Sequence, residues 1–131
     1  FITENVITTD KVPNLMKLLM TLYVSAMNLP DTEPETIASL SDISEAVAIR
    51  FSDQIPTTYW EIFDPHADKD TVCGDLIDDL SDIAIDLKKG MNEYKAGRIE
   101  NAIFEWRFGL NNHWGLHIVD ALRALHFIRA N

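Results

Sequence analysis

From Leu15 to Met27 nearly every position is apolar, where an ordinary surface helix would keep one face polar. The pattern predicts a helix that starts around Asp10, a residue type suited to the N-cap. Pro13 sits in the tolerant first turn and Asn28-Leu29-Pro30 is the stop. A helix apolar almost all round is expected in the middle of a bundle or at a homodimer interface through Leu15–Met27. The acid- and proline-rich stretch "PDTEPETIASLSD" then reads as a linker loop. A shorter helix is expected from Asp42 to Phe51, although its "AVAIRF" core also suits a strand. "DQIPTTYWEIFDPHADKD" reads as an ordered loop with one aromatic turn, Tyr59 to Phe63.

The clearest periodicity runs from Asp75 to Ala96 and ends at Gly97, a residue suited to terminate a helix. Leu76, Leu80, Ile83, Leu87 and Tyr94 fall on one face, with Ala84 and Met91 beside them. Acids crowd the first turns and lysines follow later, in the sense of the helix dipole. Arg98 to Arg129 is also helical in pattern, with a break near Gly109 to Asn112. Ile99, Ala102, Trp106, Leu110, His117, Ala121 and Ala124 are expected on its inner face. The expected fold is therefore all-α: a single-domain helical bundle over residues 1–131, with two long C-terminal helices. Residues 31–41 and 53–74 are its loop-rich regions.

Charge narrows the partners. A net charge of -10 repels phosphates, so nucleic acid and anionic membranes are disfavoured and a basic protein partner or cations are favoured. The longest apolar run is interrupted by Lys17 and too short to span a bilayer, and no secretory signal pattern is visible. One cysteine, Cys73, excludes an internal disulfide and a multi-cysteine zinc site, and a reducing cytoplasm is the expected setting. A chain beginning at Phe1 leaves residues upstream to be expected.

Candidate chemistry gathers on two helices. Asp75, Asp79, Asp82 and Asp86, spaced four, three and four apart, line one helical face. Carboxylates so close repel one another unless cations intervene. In "NNHWGLHIVDALRALH", His113 and His117 stand four apart and can point the same way, with Asp120 one turn on. One reading is a divalent metal site using His113, His117, Asp79, Asp82 and Asp86, with Asp120 orienting an imidazole. The other is a structural polar network of Asp79, Asp82, Asp86, Arg107, His113, His117, Asp120 and Arg123, with no ion. The zinc-hydrolase motif H-E-x-x-H is absent, because Trp114 follows His113. "DPHADKD" faintly echoes a calcium loop, but Lys69 stands where that loop needs Gly, so a solvated loop is expected. Trp60, Trp106 and Trp114 read as core rather than as a cofactor box.

"YWEIFDP", "LIDDLSDIAIDLKKG", "EWRFGLNNHWGLH" and "DALRALH", with "LPD" after the first helix, resemble an uncharacterised bacterial family classed only as a domain of unknown function. The resemblance implies a small helical bacterial protein and supplies no catalytic residue or cofactor. Ile85 departs from it, since members tend to carry a polar residue there. An outward Ile85 would mark an extra contact surface. With no complete catalytic motif, a non-enzymatic acidic interaction module of immunity, antitoxin or regulatory type is favoured. The alternative is a metal- or small-ligand-binding bundle, possibly hydrolytic.

Overall fold

The computed structural model describes residues 6–34 and 47–129. Along the chain run β1 (Val6–Ile7), a short 3-10 turn, α1 (Val12–Met27), β2 (Arg50–Phe51), β3 (Thr58–Glu61), β4 (Val72–Asp75), α2 (Leu76–Lys95), α3 (Ile99–Asn112) and α4 (Trp114–Arg129). Helix dominates, as the periodicity requires, and α2 packs against both α3 and α4, while α1 lies mainly on α4. The described residues are nevertheless not strictly all-α. β1 and β2 form a short parallel pair, and β3 and β4 an antiparallel hairpin.

That hairpin replaces the expected aromatic turn at Tyr59–Phe63. Thr58-Tyr59-Trp60-Glu61 is β-branched and aromatic in composition, and pairing with Val72–Asp75 satisfies its backbone. Trp60 consequently points out of the strand and is 73% exposed, contrary to its expected place in the core. The acidic "DPHADKD" forms the exposed connection, where the Asp64 carboxylate accepts from the His66 N–H (2.9 Å) and closes a turn. Of the expected helix at Asp42–Phe51, residues 42–46 lie outside the described residues, and Arg50–Phe51 are strand.

α2 is defined at both ends by side-chain and backbone chemistry. Asp75 caps it, its carboxylate accepting from the Ile77 N–H at 2.8 Å. At the far end Gly97 takes φ 84°, a left-handed conformation that a side chain would strain. Its N–H reaches the Tyr94 carbonyl and that of Arg98 reaches the Glu93 carbonyl, a Schellman ending. Leu76, Leu80 and Ile83 are fully buried along α2, with Leu15 and Leu19 from α1 and Trp114, Ile118, Ala121 and Leu125 from α4.

The inner faces were less extensive than the periodicity suggests. Tyr94, Met91 and Ile99 lie exposed at the far end of the bundle. α1 likewise leaves Met20, Val24 and Met27 exposed, so it is covered on one side only. Ile85 is half-buried rather than outward-facing. The break between α3 and α4 falls at His113, just past the expected Gly109–Asn112. No helix among the described residues is long and apolar enough to cross a membrane.

Candidate metal centre

His113 and His117 meet the aspartate stripe of α2. The Asp79–His117 and Asp86–His113 pairs run in opposite chain order, so α2 and α4 are antiparallel and their polar positions stay in register over two turns. The His117 Nδ1 lies 2.7 Å from Asp79 Oδ1, and the His113 Nδ1 lies 2.5 Å from Asp86 Oδ2. An imidazole held by a carboxylate at one nitrogen has its ring orientation fixed and its other nitrogen aimed. Here both free nitrogens aim at Asp82. Its Oδ2 lies 3.0 Å from His117 Nε2 and 3.7 Å from His113 Nε2. The rings stand edge to face with centroids 5.0 Å apart.

Asp82, His113 and His117 each offer one ligand atom, and these three atoms lie within 4.8 Å of one another. Donors about 2.0–2.2 Å from a tetrahedral zinc stand roughly 3.3 Å apart, so 3.0 and 3.7 Å bracket the edge of such a site. Two imidazoles and one carboxylate suit zinc, and the same donor set also serves ferrous iron.

The four aspartates of the stripe have different tasks. Asp82 occupies the shared point, Asp79 and Asp86 orient the histidines, and Asp75 is spent as the helix cap. Asp79 is 4% exposed and also accepts from the Tyr59 hydroxyl. Burial, then the hydrogen bond and charge of Asp79, push the Tyr59 phenol far up, so it remains a donor. The Asp79 hydrogen bond likewise raises the His117 pKa against the effect of burial.

Three residues of the expected network are elsewhere or differently employed. Arg107 donates to the Met27 carbonyl (3.1 Å) and to that of Leu29, and faces Asp31 at 3.8 Å, so it ties the end of α1 to α3. Arg123 lies over the Phe127 ring at 5.8 Å. Both sit at helix positions whose periodicity does not specify which neighbour they meet. Asp120 does face the seam's cleft, but its carboxyl meets Glu61 of β3 rather than an imidazole.

Sequence reasoning missed Tyr59 and Glu61. The signal was their separation of two in an extended stretch, which sets both on one strand face. That face lies over α2 and α4: Tyr59 reaches Asp79 and Glu61 reaches Asp120. Gly74 makes the approach possible, because a Cβ there would stand 2.5 Å from the Tyr59 ring. The resulting cleft, about 620 Å³, opens beside the two histidines.

A family model described as a domain of unknown function, DUF5063, matches residues 2–131. The chain belongs to that family. No curated protein and no solved structure matches it. The DUF5063 match spans the hairpin, α2 and α4, and thus every residue of the centre described here.

Proposed function

We propose that this DUF5063 domain binds a divalent transition metal, zinc by preference, through Asp82, His113 and His117. The observation that carries the reading is the pair of anchored imidazoles whose Nε2 atoms converge on one carboxylate oxygen. A proton on His117 would account for its 3.0 Å approach to Asp82. It would not account for His113, whose Nε2 is directed at the same oxygen from 3.7 Å, beyond hydrogen-bond reach. An ion between the three atoms uses all of them.

The rival reading, a non-enzymatic module for a basic protein partner, rests on the net charge of -10, the acidic face of α2, the acidic loop after α1 and the absence of a complete catalytic motif. Asp79, Asp82 and Asp86 point at imidazoles, so most of that face is engaged within the chain. The metal reading therefore takes precedence.

Calorimetric titration of the metal-stripped chain tests it, with ferrous iron and manganese as competitors. One zinc per chain is expected, and zinc at 100 times its Kd should stabilise the fold by about 2.7 kcal/mol. That corresponds to a melting rise on the order of 10 °C. The His113→Ala, His117→Ala double variant should fold and lose both effects. A chain that folds fully and neither takes up zinc nor melts higher in its presence sinks the proposal.

A further inference from the structure

Asp79 joins three elements, and its two oxygens have separate partners. Oδ1 lies 2.7 Å from His117 Nδ1 on α4, and Oδ2 accepts from the Tyr59 hydroxyl on β3. A carboxylate gripped at both oxygens cannot turn without giving up one bond, so the phenol fixes the acid that fixes the imidazole. The other histidine has a looser setting. The His113 and Asp86 side chains are 49% and 17% exposed, against 20% and 5% for His117 and Asp79. His117 Nε2 also stands closer to Asp82 Oδ2, at 3.0 Å against 3.7 Å for His113. The better-held imidazole is the better-aimed one.

The hairpin that carries Tyr59 is joined to α2 at its base. β4 runs into the helix through the Asp75 cap, and the Leu76 N–H reaches the Thr57 carbonyl at 2.8 Å. The phenol meets Asp79 one helical turn further on. None of the strand residues of the hairpin is fully buried, and Trp60 is turned to solvent. A two-stranded ribbon without a core of its own is marginally stable and opens locally at little cost. Such a ribbon is held down by what it touches on the helices, and Tyr59 touches the carboxylate that orients a ligand.

We propose that Tyr59 is a positioning residue of the metal centre, acting through Asp79 on His117, and that it couples closure of the β3–β4 hairpin to metal binding. This rests on the metal reading and adds a means by which the chain outside the helices sets the affinity of that site. Coupling between two binding events is reciprocal: whatever factor the closed hairpin adds to zinc affinity, zinc must add to hairpin closure. Gly74 is the second part of the device. It pairs with Tyr59 across the hairpin, and a Cβ there would stand 2.5 Å from the phenol ring and 2.8 Å from its oxygen. That atom presses on the far end of a side chain rather than on backbone. Gly74→Ala therefore shifts the hydroxyl off Asp79 while the strands stay paired.

The test titrates the full metal-stripped chain with zinc by calorimetry, and follows hydrogen exchange of the hairpin amides with and without zinc. Tyr59→Phe keeps the ring and removes the donor, whereas Gly74→Ala keeps the donor and moves it. Each should raise the zinc Kd about tenfold, the low end of the loss expected for an outer partner of a ligand. In the parent, zinc should slow exchange along the β3–β4 ladder by about the same factor. In Tyr59→Phe that slowing should vanish. A bond that only supports the fold would lower the metal-free melting point of both variants and leave their zinc Kd at the parental value. That result would overturn the proposal, and so would a parental hairpin whose exchange ignores zinc. A parent that takes up no zinc is a different result, which removes the metal reading and this coupling with it.

Discussion

Two ionic clusters sit on α2, and they are built in opposite ways. At its C-terminal end Glu93 is fully buried and receives the Arg98 guanidinium, while the backbone of the same two residues closes the helix. That pair joins a helix end to the chain that follows. At the N-terminal half, Asp79, Asp82 and Asp86 face two histidines, and His113 remains half-exposed beside a cleft. The first cluster is closed and uses a cation of fixed charge. The second is open and uses imidazoles, which exchange a proton for a metal. Burial of charge alone therefore does not mark a site; free ligand atoms aimed at a shared point do.

The contrast is sharpest in the response to losing one partner. Arg98→Met should destabilise the fold by about 3–5 kcal/mol, because it strands the buried Glu93 carboxylate, and should leave zinc affinity unchanged. Urea unfolding and calorimetry on the same variant measure both. A loss under about 1 kcal/mol would mean that the closed cluster is not the structural one.

Asp86→Asn should behave in the reverse manner. The amide removes the anionic partner of His113 Nδ1, so zinc affinity should fall about 10–100-fold. Metal-free stability should change by less than about 1 kcal/mol, since His113 is half-exposed. If Asp86→Asn instead unfolds the protein and leaves zinc affinity intact, the open seam is only another structural pair.

Much of the open seam was legible in the sequence. Three- and four-residue spacings put the α2 aspartates on one face and both histidines on another, and like-charged acids need cations nearby. Which aspartate does what was not legible. Asp79, Asp82 and Asp86 are equivalent in a periodic pattern and become different only through the antiparallel register of α2 and α4. The hairpin was harder still. Four residues on either side of an exposed ten-residue connection carry little periodicity, and their pairing is non-local. Without β3, Asp120 has no carboxyl to face and Asp79 no phenol, so half of the cleft's chemistry depends on an element that local pattern does not reveal.

The smallest effect concerns that half, and its sign follows from linkage. Asp120 rises from 3.8 to about 7 on folding because of burial, then Glu61, then Asp79, with His117 opposing. A group whose pKa is higher when folded binds more protons in the folded state between those two values. Its stabilising contribution is complete below about pH 4 and is lost as pH rises through 7. Asp120 is only partly buried, and solvent screening reduces the effect to on the order of 1 kcal/mol. The groups that face it are Glu61 on β3, Asp79 on α2 and His117 on its own helix. His117 has the same sign, since its raised pKa also favours the folded state at low pH; the largest cause of that rise, its hydrogen bond to Asp79, is kept in Asp120→Asn, so that part of its contribution cancels in a difference. Measured in a chelator, the stability of the parent minus that of Asp120→Asn should therefore fall between pH 4 and 8. A flat difference would mean that burial beside Glu61 does not hold a proton on Asp120 in the folded protein.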